Sequence, residues 1–453
     1  MLPDFAELAK YLRQNGVKAH FTIGGHFPTV DYSKTLELIP EVDTVVRHEG
    51  ENTMLELFNQ LDNPSSFGKI RGLAYRHDCK IEVTPARPLI ENLDSLPFPT
   101  RNTKTQRYRG LGLSSISASR GCFFNCSFCS VRQFYNGAPG LKRRSRSPAN
   151  VATEMEQLYK KGTRIFKFVD DDLGMKTKRQ QEWINTFAQE LKNRQLGEKI
   201  LWRTSNRVDE LDLEYMRMLK DVGLTFLYLG IESGNNQGLK TCNKIYSQKD
   251  IYAAIKTLQD ADMQFDYGFI MLTPDSTFDT IDADLKFLRD LSTGGRVTVH
   301  FTKMMPYAGT PIAERLKEES RIVGPVDSPT YHFTDERLNL MEAFLVKAFH
   351  EAFFGNNGLV NKLQTLAFDI EVLNRFFPKK YAMADYTKSV RNVINRYNES
   401  ALETMEIALN FMKTHSYDDI LFYWSTLESL AGQELEAHKR IHSVAKETIP
   451  AKI

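Results

Sequence analysis

The 453-residue chain has only five cysteines, too few for the disulfide lattice of a small secreted scaffold. It has no apolar run near the roughly 18 residues that a membrane-spanning helix needs. Its start, MLPDFAELAK, lacks the basic-then-apolar layout of a secretory signal. Neither sign of charge is in excess: 59 Lys and Arg stand against 57 Asp and Glu. Nothing in that balance demands nucleic acid or an anionic membrane as partner. No repeat of solenoid period and no low-complexity segment is present. What remains is a chain long enough for roughly two to four domains, expected in a reducing cytoplasm.

Three of the five cysteines fall in one run, SRGCFFNCSFCS, as Cys122, Cys126 and Cys129 with the spacing CxxxCxxC. Three thiolates are one short of the four that close a tetrahedral zinc site or saturate a cubane cluster. Zinc would need a fourth ligand, and the histidines nearest in sequence, His77 and His300, are far off. Disulfides would leave one cysteine over. A 4Fe–4S cluster on three cysteines keeps one iron open to an outside ligand, and an open position suits chemistry.

At these residues the chain resembles the radical S-adenosylmethionine (SAM) superfamily, whose signature is CxxxCxxC with an aromatic residue, here Phe128, before the third cysteine. The resemblance implies that SAM chelates the open iron. The reduced cluster, fed by a flavodoxin- or ferredoxin-type donor, then splits SAM into methionine and a 5′-deoxyadenosyl radical.

Residues 1–64 read as strand–helix alternation. A first helix carries Phe5, Leu8, Ala9 and Leu12 on one face; a strand over Val17–Ile23 ends in Gly24-Gly25; a helix covers about Tyr32 to Leu38. A strand at Thr44–Arg47 then leads through His48-Glu49-Gly50-Glu51 into a helix from about Thr53 to Leu61. Such alternation signals a parallel sheet with helical crossovers. The wording GGHFPT…VDTVVRHEGE resembles the second half of the cobalamin-binding domain carried ahead of many radical SAM enzymes. That resemblance implies that Gly24 and Gly25 admit a nucleotide tail; a tight turn in a half-domain kept for packing is the other reading. The family's upstream Asp-x-His-x-x-Gly motif has no counterpart, and His48 stands where the family has glycine. Cobalamin is therefore left open, a fragment or late-start product is one account, and the edge of half a sheet must be covered by something.

Residues 65–110 read as a hairpin, Gly72–Arg76 with Ile81–Pro85 and Cys79 in its turn, followed by a Pro-rich linker. Residues 111–325 read as strand–helix units with strands at Leu113–Ser119, Arg164–Val169, Ile200–Thr204, Phe226–Ile231, Phe265–Met271 and Val297–Lys303. These match the partial (β/α)6 barrel of the family, in which functional groups gather past the C-terminal strand ends. Arg207 in WRTSNR reads as a fixed cation for the methionine end of SAM or for an acidic substrate, and the resemblance implies a SAM contact from Asp171 in Asp170-Asp171-Asp172. It implies others from Glu232 and Lys244 in GIESGNNQGLKTCNK, and from Gly268 as the approach to adenine. Competing readings are a helix cap for the aspartates, an internal ion pair for the arginine and a solvated surface site for Lys244. The segment MPYAGTP resembles the family's Pro-Tyr-Pro-Gly-Thr-Pro.

Cys242 reads as a buried thiol, the basic run Lys142–Arg146 as a solvated face, and His438 with His442 as surface histidines. Residues 326–453 read as a helical domain, rich in aromatics, that lids the open side of the barrel. The whole is expected to be a radical SAM enzyme that functionalises a C–H bond of a small molecule, such as a natural-product or lipid precursor, by methylation, rearrangement or cyclisation. Methylthiotransferases are disfavoured, since they bring extra N-terminal cysteines. The alternative is a non-catalytic iron–sulfur redox sensor or scaffold.

Overall fold

The computed structural model describes residues 2–78, 80–101, 105–326 and 328–448; Cys79 lies outside them. In chain order the strands are β1 (Thr22–Gly24), β2 (Thr44–Val46), β3 (Leu73–His77), β4 (Lys80–Val83), β5 (Gln106–Tyr108) and β6 (Leu111–Ile116). They continue as β7 (Ser119–Arg120), β8 (Arg144–Ser145), β9 (Thr163–Phe168), β10 (Leu201–Arg207), β11 (Leu224–Glu232), β12 (Gln264–Leu272) and β13 (Thr302–Lys303). Packing sorts the chain into two units: one of residues up to Leu96, Ser119–Arg146 and Met305–Tyr331, the other of Pro97–Ala118, Ser147–Met304 and His332 onward.

In the first unit, adjacent valines point to opposite faces of a strand, as the two-residue period requires. Val45 joins Leu36, Ile39, Val42 and Ala74 on one side, and Val46 joins Leu57, Phe67, Ile70 and Leu73 on the other. The helix Tyr32–Leu38 starts where the Asp31 side chain accepts from the Lys34 amide, and it carries the chain from β1 to its parallel neighbour β2. The hairpin read as part of a connector is the continuation of this sheet: β3 pairs antiparallel with β2, and β4 with β3. It supplies the cover that the edge of β2 needs. A short helix, His26–Val30, follows Gly25 directly; five residues are too few to show a helical period.

The second unit is built on a seven-stranded sheet in the order β13-β12-β11-β10-β9-β6-β5. All neighbours are parallel except β5, which adds antiparallel to the outer edge of β6. Helices Pro148–Lys160, Lys178–Asn193, Leu213–Asp221, Gln248–Asp260 and Phe278–Ser292 connect the parallel strands. This is the curled half-barrel sheet expected from the strand–helix repeat. The sixth expected strand shrinks to two residues because Asn398 takes its hydrogen bonds. The Asn398 side-chain oxygen accepts from the Val299 amide at 2.8 Å, and its NH2 donates to the Val297 carbonyl at 2.9 Å, so that stretch needs no neighbouring strand.

From Arg337 onward the described chain is helical. The expected lid is not the part played by its helix Leu359–Phe376. Phe368 and Val372 of that helix pack with Ile165, Leu201 and Phe226, at the starts of β9 to β11 rather than at their ends. Asp369 anchors it, accepting from the Tyr108 hydroxyl at 2.6 Å and pairing with Arg109. His438, expected at the surface, is buried, with Nε2 2.8 Å from Glu434. Glu434 also accepts from Ser400 and Thr404.

Candidate cluster and cofactor site

In the first unit the cysteine segment is a loop closed at its base by β7 and β8, with Ser119 opposite Ser145 and Arg120 opposite Arg144. Gly121 makes the first bend with φ +81°. A Cβ there would lie 1.8 Å from the Lys142 carbonyl oxygen, so only glycine lets the two arms come this close. Cys122, Cys126 and Cys129 are half-buried, and the Cys129 amide donates to the Cys126 carbonyl at 3.2 Å. Phe128 is half-buried beside them. Cys129 leads into the helix Ser130–Asn136, which buries Phe134 and Tyr135 against Leu89 and Ala138.

Three soft thiols, partly accessible on one short loop, suit iron–sulfur ligation. Each of the three thiols can bind its own iron of a cubane, and the donor set fits a 4Fe–4S cluster with one iron left open.

The same unit holds the two candidate glycines at the end of β1. A Cβ on Gly24 would come within 2.9 Å of the Val46 carbonyl oxygen, whereas Gly25, at φ +107°, has nothing within 4 Å of that position. Gly25 opens onto a cavity of 780 Å³ whose walls are mostly apolar, among them Phe5, Leu8, Ile23 and Phe27. His26 lines it too, with Nδ1 2.9 Å from the Ser130 hydroxyl and its ring stacked on Phe134 at 4.7 Å. Tyr307 and Ala308 of the MPYAGTP segment complete the wall. Gly309 leaves room for Val30, whose Cγ1 would lie 2.5 Å from a Cβ at that position.

In the second unit one face of the sheet changes character along the strands. It begins apolar with Leu113, Ile165, Leu201 and Phe226. Two residues on it carries Ser115, Lys167 and Arg203 in register, then Ser205, Tyr228 and Asp266. At the strand ends Gly230 faces Gly268 across β11 and β12. Glu232, just beyond, adopts a φ of +66° that is strained for a non-glycine residue. Its carboxylate accepts from Lys244 Nζ at 3.0 Å, and both side chains are buried. Lys244 is thus not the solvated surface lysine of the competing reading.

Gly268 does not stand open to a purine. A Cβ there would meet the Tyr228 hydroxyl at 2.8 Å and Glu232 Oε2 at 3.2 Å, so its missing side chain seats those two groups. Burial, reinforced by Glu232, pushes the Tyr228 phenol up. Arg207 bonds Asp209 at 2.9 Å and lies over the Tyr246 ring, which Lys244 also approaches.

The three aspartates separate into different roles. Asp170 accepts from the Ala118 amide at 3.1 Å and ties β6 to β9. Asp171 is exposed. Asp172 is buried beside Glu210, whose carboxyl is pushed up to about 8 by burial and then by Asp172. None caps the following helix, which Thr177 does through a capping box with Gln180.

Two functional groupings escaped the sequence. Asp284 accepts from the Ser233 hydroxyl at 3.0 Å and the Gly234 amide at 2.7 Å, and so shapes the turn after Glu232. Its signal was present: a carboxylate on the same helical face as Ile281, Leu285 and Leu288. The run Lys142–Arg146 is not a solvated face, since Arg143 and Arg144 are buried and Arg144 pairs with Glu49 at 2.9 Å. Cys242 is buried as expected.

Residues 116–288 match the radical SAM superfamily, and residues 1–58 match the B12 binding domain. An uncharacterized methyltransferase of Pyrococcus horikoshii is 30% identical over 313 residues, which take in 68% of this chain and 65% of that one. The anaerobic magnesium-protoporphyrin IX monomethyl ester cyclase of Cereibacter sphaeroides is 27% identical over 321 residues, 69% of this chain and 50% of that one. The chain thus spans between half and two-thirds of the length of these curated relatives. Among solved structures, the cobalamin-dependent SAM radical enzyme OxsB, with aqua-cobalamin and SAM bound, has the same fold. It superposes with a TM-score of 0.68 at 15% identity, over 98% of this chain and 72% of that one.

The chain belongs to the radical SAM superfamily. Within it, it falls in the branch that joins a B12-binding domain to the catalytic one. That membership implies a 4Fe–4S cluster and SAM, and the B12-binding match supports cobalamin as a further cofactor.

Proposed function

We propose that this protein is a radical SAM enzyme that functionalises a C–H bond of a small molecule by methylation, rearrangement or cyclisation, with cobalamin as a second cofactor. The observation that carries the reading is the loop of three half-buried thiols, Cys122, Cys126 and Cys129, closed at its base and lying within the family match. When bound, the cluster and SAM supply a 5′-deoxyadenosyl radical, and cobalamin supplies a carrier for a methyl group.

The chain's own residues bind and orient. The three cysteines would hold the cluster, with Phe128 beside them. Glu232, fixed by Lys244, offers a carboxylate to ribose hydroxyls or to the SAM ammonium. Arg207 and Lys244, both set against Tyr246, bias this end of the sheet towards a carboxylate. Asp171, exposed past β9, would offer a carboxylate to the amino group of SAM. Gly268 keeps Tyr228 and Glu232 in place. Gly24 and Gly25 give cobalamin an apolar cavity. We also infer a flavodoxin- or ferredoxin-type electron donor, a cytoplasmic setting and a natural-product or lipid precursor as substrate. No helix among the described residues is long and apolar enough to cross a membrane.

The test is anaerobic reconstitution followed by incubation with SAM and reductant, with cobalamin added or withheld. Formation of 5′-deoxyadenosine or of S-adenosylhomocysteine supports the proposal. A brown protein that leaves SAM intact under both conditions would be a redox sensor or scaffold, and the reading would fall.

A further inference from the structure

The base of the cysteine loop carries an electrostatic conflict. Strands β7 and β8 are two residues each, and Arg120 is the direct cross-strand partner of Arg144. So short a ladder has little stability of its own, and like charges placed opposite each other work against it. This rung closes the base of residues 121–143, which hold all three cluster cysteines.

The loop after β2 resolves the conflict. Glu49 accepts from Arg120 Nη1 at 3.1 Å, and both of its oxygens accept from Arg144 Nη1 at 2.9 Å. Glu49 Oε2 also accepts from the Ile90 amide at 2.8 Å, and the Ile90 carbonyl accepts from Arg144 at 3.1 Å. Glu51 takes the other end of Arg120 at 2.6 Å. The side chains of Glu49 and Arg144 are 6% and 2% exposed, so water screens this pairing little.

The same loop makes a second, uncharged hold. His48 is buried, with φ +61° and its amide bonded to the Thr29 hydroxyl at 2.9 Å. Its Nδ1–H donates to the Phe134 carbonyl at 2.6 Å, in the helix that follows Cys129. A Cβ on Gly137 would stand 2.6 Å from His48 Cε1. The imidazole therefore needs a glycine at that spot, and the histidine and the glycine belong together.

We propose that His48–Glu51 is a positioning clamp for the cluster loop. Glu49 neutralises the Arg120–Arg144 rung at the base of the loop, while His48 fixes the helix beyond it. The thiols are then held in place before iron arrives. This rests on the reading that Cys122, Cys126 and Cys129 hold the cluster.

The test uses the full chain with Glu49→Gln, Glu49→Gln/Arg144→Met and His48→Ala. Hydrogen–deuterium exchange is measured first without iron. In Glu49→Gln, amides of 119–146 should exchange at least about tenfold faster, with β9 to β12 still protected. Arg144→Met should restore much of the protection by removing the charge that Glu49 offsets; a role in packing alone gives no such rescue. After anaerobic reconstitution and desalting, Glu49→Gln should keep less than half the iron of the wild type and show a shifted reduced-cluster spectrum, and the double variant should recover both.

Unchanged exchange and unchanged iron retention in Glu49→Gln overturn the clamp. If that variant does not fold, His48→Ala decides: faster exchange confined to 130–137 supports the clamp, and none overturns it. Wild-type protein that takes up no cluster defeats the proposed function, while the exchange data still decide the clamp.

Discussion

In the barrel unit, two of the ion pairs at the strand ends join partners close in sequence, although Asp284 reaches the turn after Glu232 from fifty residues on. Glu232 meets Lys244 twelve residues on, and Arg207 meets Asp209 two residues on. In the unit that carries the cysteines, the partners come from remote segments. Glu49 and Arg144 are 95 residues apart, His48 and Phe134 are 86 apart, and Gly309 makes room for Val30. Neighbours in sequence bring each other into place as one element forms. Remote partners meet only once their segments have packed, so a lost contact there loosens the loop it holds. The cysteine loop should therefore be the more fragile of the two, and substitutions can test that contrast.

Replacing Cys122, Cys126 or Cys129 with Ala should have the largest effect. SAM cleavage should drop by at least about a thousandfold while the melting curve of the iron-free protein hardly moves, because the thiols are only half-buried. Residual turnover above a tenth of wild type in any of the three would remove that residue from the ligand set.

Gly121→Ala and Gly268→Ala then separate the units. At Gly121 the new methyl group meets backbone, 1.8 Å from a carbonyl oxygen, in a left-handed conformation. This should cost about 3 kcal/mol or more and strip iron from the protein. At Gly268 it meets the tip of a tyrosine side chain at 2.8 Å, which can shift, so the cost should be about 1 kcal/mol with the cluster retained. Equal costs, read by denaturant unfolding, would erase the distinction.

Glu232→Gln probes the barrel's own ion pair. It leaves Lys244 buried without its carboxylate, which should cost about 3 kcal/mol, and it should raise the KM for SAM more than it lowers kcat. An unchanged KM would take Glu232 out of the binding site.

A pH dependence is also seated in the barrel. Burial raises the Asp284 carboxyl from 3.8 to about 7, against the opposing pull of the Gly234 amide. The folded chain then holds a proton that the unfolded chain has lost between those values. The stability this group contributes is therefore greatest below about pH 4 and is lost as pH rises to about 7, by about 4 kcal/mol in full and about 3 kcal/mol between pH 5 and 8. Glu210 and Glu371, raised to about 8 and about 7 chiefly by burial, act in the same direction. Unfolding at pH 5 and pH 8 should show a smaller difference in Asp284→Asn than in the wild type. An equal difference would mean that Asp284 ionises normally.

The same contrast explains what was legible in the sequence. Strands β9 to β12 and the helices between them follow from local periodicity, and the cysteine triplet from spacing alone. The Arg144–Glu49 pair did not follow. A basic run reads as solvated unless its distant carboxylate is known, and neither segment marks the other. Lys244 was ambiguous for a related reason, since its burial depends on Tyr246 and on a bulge between Gly230 and Glu232. Nor could spacing show that residues 302–303 alone would pair, because that depends on Asn398 nearly a hundred residues later.

The central claim, that three thiols hold a cluster with one iron left for SAM, is tested most directly by electron paramagnetic resonance of the reduced, anaerobically reconstituted protein before and after adding SAM. The account predicts about four irons per chain and a signal that shifts when SAM binds. A signal indifferent to saturating SAM, or protein that binds zinc in place of iron, would contradict it.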